Sequence, residues 1–185
     1  VVLGKYGNIN GNTSKVCLVE FTLGERELDL FLGLKAEKNI TELARIVSPM
    51  IPGEDEPETR DQMIERKTKT FQAIREHITK DEKDCIDVLF GTDAQYDYDA
   101  LSEAFVTELF TCLKQMYDII IVDTAPVGLV TDTISIGRVA DTTLFVSRAD
   151  YTPKSAFSYL NELAETEKLP RPSVVINAID LSKKK

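Results

Sequence analysis

Short apolar segments of strand length recur along this chain and alternate with longer segments of helical periodicity. This alternation is the feature that most constrains the fold, because strands separated by helices assemble into a parallel sheet with helices on both faces. We therefore predict an α/β fold in which a doubly wound, mostly parallel sheet is flanked by helices. The predicted strands are Val16–Phe21, Ile86–Phe90, Ile119–Val122, Thr143–Val146 and Ser173–Asn177.

Helix signals fill most of the intervals between these strands. Apolar residues recur every three to four positions, and capping residues or prolines stand where a helix begins or ends. The acidic segment 53–62, which begins with GEDEPETR, lacks apolar residues and is predicted to be an exposed loop. The predicted helices run from Asn39 or Thr41 to Val47, from about Pro57 to Lys80, from an N-cap at Asp99 to Met116, and from Pro153 to about Lys168.

Composition limits the class of protein. A chain of 185 residues with 43% hydrophobic residues suits a single domain, 1–185, with a sizeable core. No apolar run approaches the ~20 residues that cross a bilayer, and Val1–Leu3 is too short for a signal peptide. We therefore expect a cytoplasmic protein with reduced cysteines. The net charge of −9 argues against nucleic acid as a partner, since binding a phosphate backbone needs a basic surface.

Two polar residues end predicted strands, where ligands collect in sheets of this kind. Asp123 follows Ile119–Val122, and Mg²⁺ held directly or through water would satisfy its carboxylate. The alternative is that Asp123 only caps the following turn. Asn177 ends the last predicted strand, and its amide can both donate to and accept from the edge of a nucleotide base. The alternative for Asn177 is a turn-forming asparagine.

Three stretches of the second half of the chain carry a resemblance to a known family. They are YDIIIVDTAPVGLVTDT, RVADTTLFVSRADYTPKS and VVINAID, at residues 117–133, 138–155 and 174–180. They resemble the catalytic domain of bacterial tyrosine kinases of the exopolysaccharide type, which are relatives of the ParA/MinD class of P-loop ATPases. The resemblance implies that Asp123 is the Walker B acid near Mg²⁺ and that Asn177 lies beside the base. It also implies that Thr131 and Asp132 lie near phosphates or partners.

The stretch KVCLVEFTLGERELDLFLGL, residues 15–34, is similar to the second-strand segment of ParA/MinD-like proteins. In that family the strand ends with Asp-x-Asp, which in the kinases is the Walker A′ motif, whereas this chain has Glu20, Phe21 and Thr22. Glu20 can still bind a cation through its longer side chain, but Thr22 supplies no second negative charge. The resemblance therefore makes Glu20 a candidate catalytic residue beside Asp123, in a site that departs from the family's pattern.

Residues 1–15 correspond, by the same resemblance, to a degenerate or incomplete phosphate loop. The family's loop approximates Lys-Gly-Gly-x-Gly-Lys-Thr, and phosphate transfer needs the last lysine. Lys5 matches the first lysine and Thr13 the Mg²⁺-binding hydroxyl, but Asn12 stands where the second lysine belongs. Gly7 and Gly11 can present backbone N–H groups to an anion. The alternative is a glycine- and asparagine-rich turn.

The spacing after this loop is too short for the family's pattern. Only Ser14 and Lys15 separate Thr13 from the next strand, whereas a parallel crossover needs about a dozen residues or more. Either the helix that follows the phosphate loop has been lost, or the sequence omits a segment between Asn8 and Lys15. A single continuous peptide through residues 12–14, detected by mass spectrometry, would refute the omission.

The resemblance implies an ATP-binding domain that transfers phosphate from ATP to protein tyrosine, with ATP and Mg²⁺ as cofactors. Two alternatives are a ParA/MinD-like ATPase and a catalytically inactive docking module of a cell-envelope apparatus. Whether the chain is an enzyme stays open, because neither the phosphate-loop lysine nor the second acid of the A′ motif is found. The implied partner is a membrane-bound polysaccharide or pilus assembly protein at the inner face of the membrane, and a homo-oligomer is expected. The candidate site residues are Asp123 and Glu20 for catalysis, Lys5, Gly7, Gly11, Thr13 and Asn177 for cofactor binding, and Thr13 and Asp123 for the metal.

Overall fold

The computed structural model of the chain describes residues 8–9, 12–21, 28–53, 55–81, 86–92, 101–125, 132–180 and 182. The chain divides into two compact units, Val1–Pro126 and Val127–Lys185. The mixed α/β class and the mostly parallel sheet that the sequence predicts are confirmed. That the whole chain, 1–185, forms one domain stays a prediction.

The described strands of the first unit form a small hairpin and a four-stranded sheet. In the sheet the strand order is β4–β5–β3–β6, in which β3 runs parallel to β5 and β6 while β4 runs antiparallel to β5. In the hairpin β1 pairs antiparallel with β2. The strands are β1 (Asn8–Ile9), β2 (Asn12–Thr13), β3 (Val16–Phe21), β4 (Thr79–Asp81), β5 (Ile86–Leu89) and β6 (Ile119–Thr124).

The longer helices of the first unit begin at residues whose side chains cap the free backbone N–H groups of the first turn. The Asn39 side chain accepts a hydrogen bond from the N–H three residues further on, at 3.0 Å, and Thr59 and Ser102 do the same at 3.3 and 3.2 Å. Of the two predicted starts, Asn39 and Thr41, the structure confirms Asn39 as the cap. The helices are α1 (Leu28–Leu32), α2 (Ile40–Val47), α3 (Arg60–His77) and α4 (Glu103–Met116), with a 3₁₀ turn at Ser48–Met50.

Strand β3 lies between two parallel neighbours and is apolar on both faces, as expected of a buried parallel strand. Val16 and Cys17, which point to opposite faces, are both buried. One face of the sheet packs with α1, because Leu28 and Leu32 lie against a buried cluster that includes Val16. The cluster contains Val16, Ile86, Val88 and Phe90.

A reciprocal set of hydrogen bonds aligns the first residues of β3 and β6. The backbone N–H of Lys15 donates to Oδ2 of Asp118 at 2.8 Å. In return, the backbone N–H groups of Asp118 and Ile119 donate to the carbonyl oxygen of Lys15 at 2.9 and 3.2 Å. This Lys15–Asp118 clamp holds β3 and β6 in a single register from their first residues onward.

Two predicted helix boundaries in the first unit are wrong. The helix predicted from about Pro57 to Lys80 begins at Arg60, because Thr59 caps it, and the acidic loop therefore ends before residue 60. The same helix ends at His77, because Ile78 is extended and Lys80 pairs antiparallel with Asp87 in β4. The next helix begins at Glu103 with its cap at Ser102, whereas the predicted cap, Asp99, lies outside the described residues.

The second unit contains a two-stranded parallel ribbon with a helix packed against it. Phe145 on the first strand meets Phe157 on the helix edge to face, with ring centroids 5.8 Å apart. A small core is formed by Leu160, Leu163 and Leu169 with partly buried Ile134 and Phe145 beside it. The elements are α5 (Asp132–Val139), which the sequence reading missed, β7 (Thr143–Arg148), α6 (Lys154–Glu165) and β8 (Pro172–Asn177).

Two predictions from composition can also be compared with the structure. Cys17 and Cys112 are buried free thiols, as predicted, while Cys85 lies outside the described residues. Across the described ranges, no helix is both long enough and apolar enough to cross a bilayer.

Candidate functional site

Strands β3 and β6 place the two predicted catalytic carboxylates next to each other. Glu20 on β3 pairs with Asp123 on β6 in the parallel ladder, so both side chains leave the sheet on the same face. Their surroundings differ, because Glu20 is only 2% exposed while Asp123 is exposed. The carboxyl edge of the sheet therefore carries one buried and one accessible acid.

The buried carboxylate of Glu20 is held by backbone donors. Oε1 accepts a hydrogen bond from the N–H of Leu28, the first residue of α1, at 3.1 Å. Oε2 accepts one from the N–H of Gly91, just beyond β5, at 3.0 Å. A buried carboxylate is costly unless donors of this kind satisfy it. Glu20 thus fixes the end of β3 to the start of α1 and to the turn after β5.

The carboxylate of Asp123 is accessible at the end of β6. Its side chain makes no hydrogen bond or ion pair with any described residue, so its oxygens are available to a cation or a donor from outside the chain. Residues 126–131, where a turn capped by Asp123 would lie, are outside the described residues. Asp123 is therefore the acid of this pair that is free to meet a ligand.

The predicted phosphate loop is described only in part. Lys5, Gly7 and Gly11 lie outside the described residues. The backbone of Thr13 belongs to β2 and pairs with Asn8 in the antiparallel hairpin. The described part of the predicted loop is therefore a hairpin, and the binding roles of these four residues stay predictions.

Asn177 is the last residue of β8, in the second unit, and it is exposed. Its Oδ1 accepts a hydrogen bond from the N–H of the next residue, Ala178, at 2.8 Å. Ala178 has a φ of +55°, in the left-handed region. The bond reaches only the next residue, whereas an Asx turn uses the N–H two residues on, so the turn-forming alternative also stays a prediction. A contact between Asn177 and a nucleotide base stays a prediction.

The accessible carboxylate of Asp123 suits a Mg²⁺ ion that arrives bound to a nucleotide. It suits a metal enclosed by several protein ligands less well. Within the described part of the chain there is no group of three or more His, Cys, Asp or Glu side chains that could hold a metal. Mg²⁺ in nucleotide sites is usually bound by one or two carboxylates together with phosphate oxygens and waters. The accessible carboxylate of Asp123 fits that requirement.

The sequence reading missed a polar pair near the opposite, amino edge of the sheet. The Tyr117 hydroxyl donates a hydrogen bond to Oδ2 of Asp87 at 2.7 Å, which links β5 to the residues just before β6. Burial, followed by this hydrogen bond, raises the pKa of Tyr117. The available signal was Asp87 itself, a carboxylate inside the apolar strand Ile86–Leu89 that needs a nearby donor.

Solved structures with the same fold include nucleotide-dependent proteins. The VpsO kinase domain superposes with a TM-score of 0.65 at 19% identity, over 91% of this chain and 72% of that one. A ParA family ATPase from Chlorobium tepidum gives 0.69 at 15% identity, over 97% and 65%. MinD from Pyrococcus horikoshii, complexed with Mg-ADP, gives 0.63 at 18% identity, over 95% and 60%.

These similarities establish the fold of the chain. It is the fold of ParA- and MinD-type ATPases and of the VpsO kinase domain, as the sequence resemblance predicts. The chain spans less than two thirds of the length of the ParA and MinD structures. No protein-family profile and no curated protein sequence matches the chain.

Proposed function

We propose that this chain binds Mg-ATP at the carboxyl edge of its sheet and transfers the terminal phosphate to a protein tyrosine. The observation that carries the proposal is the accessible carboxylate of Asp123 at the end of β6, which has no partner among the described residues, in a fold shared with known ATPases and a kinase. Ligands of open α/β sheets bind at this edge. The choice of tyrosine as acceptor rests on the sequence resemblance of residues 117–180.

Different residues of the chain would have different roles at this edge. Asp123 would hold the Mg²⁺ ion, which would supply positive charge to offset that of the phosphates. Glu20 would act as a positioning residue, because its two backbone hydrogen bonds hold the neighbouring loop and helix start in place. Lys5, Gly7, Gly11 and Thr13 would contact the phosphates, and Asn177 would contact the base.

A second candidate is a docking module that binds nucleotide weakly, or not at all, and does not turn it over. Two observations favour this candidate. Both Glu20 oxygens already accept hydrogen bonds from backbone N–H groups, and Asn12 stands where the phosphate-loop lysine belongs. Each ~1.4 kcal/mol of transition-state stabilisation that is lost slows transfer about tenfold. Binding tolerates such losses better than turnover does. A third candidate, a ParA/MinD-like ATPase, needs the same lysine.

Calorimetric titration with Mg-ATP tests the binding half of the proposal. The parent chain is compared with Asp123→Ala and with Asp55→Ala, which removes an exposed carboxylate from a loop of the same unit. We expect Asp123→Ala to abolish measurable binding and Asp55→Ala to leave it unchanged. Equal affinity in all three proteins would contradict a site at Asp123.

Phosphotyrosine detection tests the transfer half. The chain is incubated with Mg-ATP and a tyrosine-containing acidic copolymer, and the Asp123→Ala variant is the matched control. Phosphotyrosine that forms only with the parent supports the kinase. Release of inorganic phosphate without phosphotyrosine would favour the ATPase. Nucleotide binding with neither product, or no binding at millimolar Mg-ATP, would favour the docking module.

The proposal also extends to location and assembly. By the sequence resemblance, the chain would act in the cytoplasm, at the inner face of the membrane, through a membrane-bound polysaccharide or pilus assembly protein. It would also form a homo-oligomer. Sedimentation velocity with and without Mg-ATP tests the last point, and a single monomeric boundary at all concentrations would contradict it.

A further inference from the structure

A cavity of about 1450 Å³ opens at the amino edge of the first unit's sheet, away from the carboxyl edge that carries Asp123. It is lined by the first residues of β3 and β5, the residues just before β6, and one face of α3. Val16 lines it, and Glu20 lies four residues further along the same strand, a distance of about 13 Å at the usual rise of a strand. The cavity is therefore separate from the proposed nucleotide site.

The cavity has aromatic walls. Phe71 on α3 and Tyr117 before β6 both line it and are partly buried. The Tyr117 hydroxyl is already bonded to Asp87, so Tyr117 presents its ring rather than its polar end to a ligand. Aromatic rings pack well in offset or edge-to-face contacts with a further ring. These walls suit an aromatic side chain.

Three cations line the same cavity. Lys15, Arg75 and Lys80 are all exposed, and none of them forms an ion pair with any carboxylate that the structure describes. Two carboxylates also line the cavity: Asp87, which accepts the Tyr117 hydroxyl, and Asp81, which is buried. Among the described lining residues, three exposed cations thus outnumber the one partly exposed carboxylate, Asp87, in a chain whose net charge is −9. This favours an anionic ligand.

A buried hydroxyl at this cavity lacks a partner. Ser14 is 3% exposed, lines the cavity, and its Oγ has no hydrogen-bond partner in the described part of the chain. Buried polar groups are almost always hydrogen-bonded, and leaving one unsatisfied is costly. A ligand that brings a polar atom to Ser14 would remove this cost.

We propose that this cavity binds an acidic peptide segment of a partner protein and takes in one tyrosine side chain. Small-molecule sites usually have volumes of about 300–1,000 Å³, so a cavity of about 1450 Å³ suits a peptide better. The acidic residues of the peptide pair with Lys15, Arg75 and Lys80. The tyrosine ring lies beside Phe71 and Tyr117, and its hydroxyl bonds to Ser14.

Fluorescence anisotropy with a fluorescein-labelled Asp-Glu-Tyr-Glu-Asp peptide tests the charge part of the proposal. We expect Arg75→Glu to weaken binding at least tenfold. The matched control is Lys38→Glu, the same charge change at an exposed position before α2, and it should change affinity less than twofold. Equal losses of affinity in the two variants would show that only the overall charge of the chain matters, and would overturn the proposed site. No binding at 1 mM peptide would also overturn it.

A double-mutant cycle tests the contact with Ser14. Replacing the peptide's tyrosine with phenylalanine should weaken binding about three- to tenfold with the parent chain and leave it unchanged with Ser14→Ala. Ser14→Ala removes an unsatisfied buried group, so its unfolding midpoint should not fall. Equal losses with both proteins would overturn the contact.

Mg-ATP should not displace the peptide, because the two sites lie at opposite edges of the sheet. Displacement by millimolar Mg-ATP, or equal displacement by inorganic phosphate, would show that the cations bind phosphate anions instead of an acidic peptide. Peptide binding that survives in Asp123→Ala supports the cavity even if the proposed phosphate transfer fails.

Discussion

Glu20 and Asp123 are direct neighbours in the ladder between β3 and β6, yet only Asp123 is accessible to solvent. Glu20 accepts hydrogen bonds from the N–H groups of Leu28 and Gly91, whereas the Asp123 side chain has no such bond with any described residue. Substitution at the two positions should therefore have separable effects, on folding for Glu20 and on ligand binding for Asp123.

The first prediction concerns this pair. Glu20→Gln should lower the free energy of unfolding by about 1–3 kcal/mol, because one of the two N–H donors would face an amide NH₂ instead of an oxygen. Asp123→Asn should change it by no more than about 0.5 kcal/mol, as is usual at exposed positions. Urea denaturation followed by circular dichroism measures both. A larger loss for Asp123→Asn than for Glu20→Gln would contradict this division of roles.

The second prediction concerns Arg66, which connects the loop before α3 to α4. Its guanidinium forms two hydrogen bonds with Glu58, at 2.8 and 3.0 Å, and Nη1 lies 2.6 Å from Oε1 of Glu108 at an angle outside hydrogen-bond geometry. Its hydrogen bond with Glu58 lowers the pKa of that carboxyl group. Arg66→Met should lower the free energy of unfolding by about 1–3 kcal/mol, because two carboxylates would lose their shared cation.

The matched control for Arg66 is Lys69→Met. Lys69 forms an ion pair with Glu65 at 2.7 Å, but both side chains are largely exposed. Exposed pairs contribute little, so the urea midpoint should hardly move, and 0.5 M NaCl should not change that result. Equal midpoint shifts in the two variants would show that Arg66 acts only as a surface charge.

The third prediction concerns Gly137 in α5. A Cβ added there would overlap the carbonyl oxygen of Lys168 and lie 3.0 Å from a methyl carbon of Leu169. Alanine normally stabilises a helix by about 1 kcal/mol relative to glycine, but this overlap with backbone should reverse the sign. Gly137→Ala is expected to lose about 1–2 kcal/mol of unfolding free energy in urea titrations. At Gly53 the nearest atoms to an added Cβ are 3.8 Å away, so Gly53→Ala should be neutral, and equal losses would refute the steric explanation.

The fourth prediction concerns pH. Burial, and secondarily the charge of Asp87, raises the pKa of the Cys17 thiol from 9.0 to about 12. Burial likewise raises the pKa of Cys112 to about 11. Above pH 9 the unfolded chain loses these protons while the native chain keeps them, so the free energy of unfolding should fall as the pH rises from 9 towards 12.

Cys17→Ala isolates this effect from other groups that titrate in the same range. The variant should lose stability less steeply than the parent between pH 9 and 11, by up to about 1.4 kcal/mol per pH unit. Below pH 9 the difference between the two proteins should be constant. Urea midpoints at pH 7, 8, 9, 10 and 11 measure it, and parallel curves throughout would contradict the prediction.

The strands were the most predictable part of the fold. Val16–Phe21 forms a strand over the predicted residues. A short, mostly apolar run bounded by polar residues is typical of a buried strand. The predicted helix extends over residues 78–80 because Ile78 continues the apolar stripe of α3. Their extended conformation depends on pairing with β5, which local periodicity does not reveal.

The site was less predictable than the fold because its contacts are non-local. The hydrogen bond between Glu20 and Gly91 joins residues 71 positions apart, and the one between Tyr117 and Asp87 spans 30 positions. The sequence identified Glu20 as an acid at a strand end, but nothing near it indicated that backbone donors would occupy both of its oxygens. The unpartnered hydroxyl of Ser14 had no signal in the sequence.

The Lys15–Asp118 clamp separates the alignment of β3 and β6 from the chemistry at their far ends. A slip of one residue between the strands would turn Glu20 or Asp123 to the opposite face of the sheet. The alignment uses backbone groups along the ladder and the Asp118 side chain at its start, so it does not depend on the side chain at residue 123. The side chain at residue 123 is therefore free to diverge in evolution without misaligning the strands, whereas the side chain at residue 20 is constrained by its own bonds to Leu28 and Gly91.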